Sequence, residues 1–149
     1  MDAVIAALIA YGLPGMFIAA FLAGSVFPFS SEVVMLALLG AGVDPVGLLV
    51  SGTLGNTLGS LFNYHVGKLG KEEWIERFTK VSPEKLERGK RYVRRYGAWA
   101  GLLAWIPLLG SVITVALGFL RVNAVAAMST IFVGKLIRYL LLLMAFNAL

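Results

Sequence analysis

No cysteine occurs among the 149 residues, which excludes a disulfide framework, a thiolate metal site and a cysteine nucleophile. Histidine occurs once, as His65. A single imidazole makes neither a metal site nor a catalytic triad, so His65 reads first as an interfacial side chain and only second as a proton carrier. Charge is scarce too. Charged residues are 14% of the chain, against about 25% in an ordinary soluble domain. No phosphate loop, nucleophile elbow or pair of catalytic carboxylates is present, so neither covalent chemistry nor a cofactor is expected. The first residues lack the positive stretch that opens a signal peptide, Asp2 being the one early charge, and the mature chain is expected to begin at Met1.

What is there is apolar. Hydrophobic residues are 59% of the chain and its mean hydropathy is +0.85. A chain of this size buries only about two-thirds of its surface in water, so the excess would leave large exposed apolar patches. Lipid is the solvent that suits it. The expectation is an all-α integral membrane protein forming one membrane domain over residues 1–149.

The few charges are gathered. Ten of the 13 Lys and Arg lie between Lys68 and Arg95, with Glu72, Glu73, Glu76, Glu84 and Glu87 among them. This basic stretch separates two apolar regions, residues 1–67 and 96–149. The positive-inside rule makes residues 68–95 a cytoplasmic loop. The pI near 9.8 then reports topology and anionic headgroups, and nucleic acid is not an expected partner. Within the loop, Trp74, Ile75 and Phe78 share one side of a helical segment from Lys71 to Thr79 among charges, a pattern suited to the membrane surface or to a solvated connector. Ser82 and Pro83 mark a second helix start, Ser as N-cap and Pro at the first position, running through Arg95.

A spanning helix needs about 20 apolar residues. Val46 to Val66 and Val122 to Phe146 meet that length. The other apolar segments are broken. Ala3 to Ser31 is interrupted by Leu13-Pro14-Gly15 and again by Phe27-Pro28-Phe29-Ser30-Ser31. Glu32 to Gly40 then leaves a helix about 14 Å long at 1.5 Å per residue, half the hydrocarbon thickness. Tyr96 to Leu120 is interrupted at Ile106-Pro107 and at Gly110. Half-helices at membrane depth mark re-entrant hairpins, whose tips would be Phe27–Ser31 (Pro28) and Ile106–Gly110 (Pro107, Gly110). The order is hairpin, span, basic loop, hairpin, span: two inverted repeats, with Met1, Asp44 and Leu149 non-cytoplasmic and Arg121 cytoplasmic.

Four segments then become familiar: Gly24 to Leu38 (GSVFPFSSEVVMLAL), Gly52 to Tyr64 (GTLGNTLGSLFNY), Arg95 to Gly118 (RYGAWAGLLAWIPLLGSVITVALG) and Gly134 to Tyr139 (GKLIRY). In content and order they resemble the small YqaA-like branch of the DedA superfamily, whose members share the VTT, or SNARE-associated, domain. The resemblance implies two facing re-entrant hairpins, each with a membrane helix, in an inner-membrane protein. It also implies transport of a phosphate-bearing lipid, polyprenyl-phosphate or phospholipid, by flippase-like or scramblase-like movement. Glu32 matches the acidic position of the family's first hairpin. One departure stands out: Trp105 to Ser111 holds no basic residue, where family members carry arginines around the second proline.

The residues fit such a carrier without the resemblance. Lys135 and Arg138 sit midway along the last apolar helix, three apart and so on one face. A charge at the bilayer centre costs roughly 2.5–3.5 kcal/mol on insertion scales and needs a partner or a pathway. Glu32 is the candidate acid. At the start of a half-helix it is favoured by the helix dipole, and it can neutralise by taking a proton, which proton coupling would use. Asn56, Gly59, Ser60 and Asn63 share a face of the first span, where the amides would pack against a neighbour or line a cavity. Gly52, Gly55 and Gly59 would admit a neighbouring backbone closely. Half-helix N-termini after Pro28 and Pro107, with Ser31 and Ser111 beside them, carry free N–H groups suited to a phosphate. Glu32, Lys135, Arg138, Asn56, Asn63, Ser31 and Ser111 are therefore the expected substrate-binding set. Membrane lipids, through phosphate headgroups, are the expected partners, with protons and a second copy of the chain left open. The alternative is a non-transporting membrane partner whose buried charges only lock its fold.

Overall fold

The computed structural model describes residues 7, 10–24, 31–106 and 109–146. Their regular structure is all helical, with no strand among the described residues. The elements are α1 (Leu13–Gly24), α2 (Ser31–Gly40), α3 (Pro45–Leu69), α4 (Glu72–Thr79), α5 (Pro83–Tyr96), a 3-10 helix (Gly97–Trp105), α6 (Leu109–Phe119) and α7 (Ala124–Ala145). The chain divides into two compact units. The first is Met1–Gly59 with Leu136–Leu149, and the second is Ser60–Lys135. The boundaries fall inside α3 and α7.

The first unit is held by α1, α2 and the parts of α3 and α7 that it includes. Met16, Ala19 and Ala20 from α1, Val34, Met35 and Leu38 from α2, Leu48 from α3, and Tyr139 and Leu143 from α7 form its core. Two glycines of α3 explain how closely these helices pack. A Cβ on Gly55 would overlap the Phe17 carbonyl oxygen of α1, and one on Gly52 would lie 2.9 Å from Met16 Cε and 3.2 Å from Met35 Cε. Gly55 thus meets backbone and Gly52 meets side chains. Gly59 is buried. Pro28, at the expected first hairpin tip, lies outside the described residues.

The second unit is organised around α6, which is buried from Val112 to Gly118. Where α3 meets α6, a side chain on Gly118 would run into the Tyr64 carbonyl and one on Gly67 into the Val115 carbonyl. Tyr64 closes the same junction by donating its hydroxyl to the Val122 carbonyl at 2.5 Å. The 3-10 segment is tied to α7 by the Thr130 hydroxyl, which donates to the Ala98 carbonyl at 2.7 Å. The α4–α5 loop folds as its sequence foretells. Ser82 caps α5, accepting from the Lys85 N–H at 3.4 Å, with Pro83 in the first turn. Lys90 of α5 is buried. Its ammonium lies 4.0 Å from the centre of the Phe119 ring and 2.9 Å from Glu87 Oε1.

The structure differs from the sequence reading at four points. Gly110 does not break its helix. It lies in the first turn of α6, where a Cβ would overlap the Ala104 carbonyl, so the glycine serves close packing, while Pro107 of the same expected tip lies outside the described residues. The segment before it, read only as broken, is a nine-residue 3-10 helix, longer than the three or four residues usual for that form. Trp74, Ile75 and Phe78 do not act as one side. Ile75 is 1% exposed and joins the core, while Trp74 and Phe78 are each 43% exposed. Finally, α7 alone among the described helices is both long and apolar enough to cross a membrane. With 25 residues α3 has the length, but its buried Thr53, Asn56, Ser60 and Asn63 dilute its apolarity.

Candidate functional site

The first unit gathers its polar groups where α2, α3 and α7 converge. Ser31 opens α2 and Glu32 follows in its first turn. An acid there meets the partial positive charge of the helix N-terminus. Arg138 reaches it from α7 and forms an ion pair, Nη2 to Oε1. Neither group is sealed away: the Arg138 side chain is 27% exposed and that of Glu32 is 25% exposed.

Behind the pair lies a buried hydrogen-bonded chain. The Tyr139 hydroxyl is 2.6 Å from Ser31 Oγ. Asn56 Nδ2 donates to that hydroxyl at 3.3 Å and to the Ala20 carbonyl at 3.1 Å. With Asn56 donating to the tyrosine oxygen, the tyrosine proton is available to Ser31, which orients the serine beside Glu32. Asn56 Oδ1 and Thr53 Oγ1, one helical turn apart on α3, are buried without a hydrogen-bond partner among the described residues. Buried acceptors are usually satisfied, so this face of α3 holds unused accepting capacity.

The expected binding set is thus brought together in part. Glu32, Arg138, Ser31 and Asn56 meet within the first unit. Lys135, Asn63 and Ser111 belong to the second. Lys135 is 6% exposed and Asn63 is fully buried, while Ser111 is half-buried in the first turns of α6. Tyr139 and Thr53 were not foreseen as site residues. The signal for Tyr139 was its position, next to Arg138 in an apolar helix, where a tyrosine hydroxyl must find a partner. No group of three or more His, Cys, Asp and Glu that would hold a metal occurs among the described residues.

The geometry can be set beside known proteins. The VTT domain model matches residues 27–148, most of the chain. The chain belongs to the VTT-domain family. The YqaA-like resemblance read from the four segments is upheld by the relatives of this VTT-domain chain. It is 40% identical over 136 residues to an uncharacterized protein of Haemophilus influenzae, covering 86% of this chain and 83% of that one. It is 30% identical over 131 residues to the inner membrane protein YqaA of Escherichia coli, covering 87% of each. A shorter match, 30% identical over 86 residues, is to undecaprenyl phosphate transporter A of Staphylococcus aureus, covering 52% of this chain and 42% of that one. No solved structure matches. The VTT-domain protein is a membrane protein.

Proposed function

We propose that this VTT-domain protein carries a phosphate-bearing lipid across the membrane, with Arg138 as the headgroup contact and Glu32 as its exchangeable counter-ion. The observation that supports this most is the Glu32–Arg138 pair, partly open and seated at the N-terminus of a ten-residue helix. A guanidinium presents a fork of donors that matches phosphate oxygens in pairs. The first-turn N–H groups of α2 and the Ser31 hydroxyl add donors at the same place. An incoming phosphate would displace the Glu32 carboxylate, and protonation of Glu32 would ease the exchange, which couples the step to protons. Asn63 of the first repeat, and Lys135 and Ser111 of the second, belong to the same proposed binding set. In this reading the hairpins are re-entrant and inverted, the single membrane domain spans residues 1–149, the basic loop is cytoplasmic, and acyl or prenyl chains stay in lipid while the headgroup crosses. The half-length similarity to a protein named for undecaprenyl phosphate transport supports the substrate class. No bond is made or broken in such a cycle.

The test is lipid flux in liposomes, normalised to folded protein, across pH. Arg138→Met should abolish flux in folded protein, Lys135→Met should weaken it, and Glu32→Gln should flatten its pH dependence. Undiminished flux in the Lys135→Met, Arg138→Met double variant would overturn the site. In a non-transporting lock, Glu32→Gln would instead lower stability, and adding Arg138→Met would restore much of it.

A further inference from the structure

The loop between the two apolar regions carries a surface that lipid transport does not use. Helix α4 is fixed to the second unit by Ile75 and Thr79, both buried. That anchoring turns Trp74 and Phe78, four residues apart and therefore adjacent on the helix, away from the core. Their rings meet edge to face with centroids 6.3 Å apart. Each ring is flanked by a cation from the same helix end or body: Lys71 Nζ stands 4.5 Å from the Trp74 ring centre and the Arg77 guanidinium 5.8 Å from that of Phe78. At about 100° per residue, the acids Glu72, Glu73 and Glu76 fall on the side of α4 away from the two aromatics. The next helix adds a basic ridge. Leu86, Gly89, Lys90 and Val93 of α5 face inward, which leaves Arg88, Arg91 and Arg95 exposed at spacings of three and four.

We infer that α4 is a docking helix for the anionic headgroup layer, with Trp74 and Phe78 set at the boundary of headgroups and acyl chains and Lys71 and Arg77 on lipid phosphates. Charge complementarity selects this occupant. Ten basic and five acidic residues between Lys68 and Arg95 give the loop a positive field that an anionic leaflet attracts. Two large aromatics rimmed by cations match that layer in both polarity and charge: tryptophan favours the interface, and basic side chains beside it gain from anionic lipid. A protein partner of matching acidity or a second copy of this chain would cover the same rings without regard to lipid charge. The inference concerns residues 71–78 and stands apart from the Glu32–Arg138 site, so either can fail alone.

The experiment uses full-length protein with Trp99→Phe and Trp105→Phe, which leaves Trp74 as its one tryptophan. It is reconstituted in phosphatidylcholine vesicles with and without phosphatidylglycerol. With phosphatidylglycerol present, Trp74 emission should shift to the blue, be quenched by lipids brominated near the headgroup, and be shielded from aqueous iodide. Replacing Lys71 and Arg77 together by Gln should cancel most of the difference between the two vesicles, each charge accounting for about a fivefold change in the docked-to-free ratio. Should the tryptophan substitutions impair folding, Phe78→Cys in otherwise wild-type protein, labelled with an environment-sensitive dye, reads the same face, because the chain has no other cysteine. Iodide access that is equally high in both vesicles would overturn the inference. So would shielding that rises with protein-to-lipid ratio and ignores phosphatidylglycerol, which would mark a second copy as the occupant.

Discussion

Tyr139 shows how much can hang on one hydroxyl. It joins Ser31 of α2 to Asn56 of α3 within a buried core, one residue from the arginine of the ion pair. Tyr139→Phe keeps the ring and removes the oxygen, leaving buried polar groups on both neighbours unsatisfied. The expected loss is about 1–3 kcal/mol, read as a lowered melting temperature in detergent. A variant as stable as the wild type would mean that the chain of hydrogen bonds does not hold the unit. Glu87 offers a milder case outside the membrane segments. Its carboxyl is held below the ordinary value of 4.5, first by the hydrogen bond from Lys90 and then by that residue's charge. A depressed folded-state pKa stabilises above the unfolded value, and the benefit disappears as pH falls through the folded one. Glu87→Gln should therefore be slightly less stable than wild type at neutral pH, and the two melting curves should converge well below pH 4.5. The ion pair itself was legible in the sequence, because opposite charges in long apolar segments have few other ways to be stabilised. The partners of Tyr139 were not legible, since only the fold decides which groups a buried hydroxyl meets.

At the scale of helices, glycine carries the packing. Gly55 of α3 and Gly118 of α6 each face a carbonyl oxygen of another helix where a Cβ would collide with backbone. Backbone cannot swing aside as a side chain can, so Gly55→Leu and Gly118→Leu should each cost at least the roughly 1–3 kcal/mol of an overpacked core. Gly40 ends α2 with nothing within 4 Å of its Cβ position, so Gly40→Ala should be neutral or slightly stabilising. Size-exclusion profiles and melting temperatures of the three variants check the contrast. Monodisperse, fully stable leucine variants would contradict these crossings. Element boundaries were largely readable: proline, the Ser82 cap and apolar length fixed most of them to within a residue or two. What sequence alone could not give was the use of each feature. Gly110 looked like a breaker because glycine is a poor helix former, yet tertiary contact with Ala104 supplies its reason. Trp74, Ile75 and Phe78 share a helical arc, and only the packing against α6 shows which of them faces inward.

For the whole molecule, the absence of cysteine turns topology into a clean measurement. Single substitutions Asp44→Cys and Arg121→Cys can each be probed with an impermeant thiol reagent from either side of sealed vesicles. The inverted hairpins require position 44 to react from the non-cytoplasmic side and position 121 from the cytoplasmic side. Labelling of both from one side would rule that topology out and leave the charge asymmetry to be explained by other spans.

The 3-10 helix over Gly97–Trp105 has a consequence of its own. Its nine residues rise about 2.0 Å each, against about 1.5 Å in an α-helix. Rewinding this stretch to α pitch would draw its ends together by roughly 4–5 Å, close to one helical turn. The segment is thus a reserve of length ahead of α6, and rewinding it would shorten the run that joins α5 to α6.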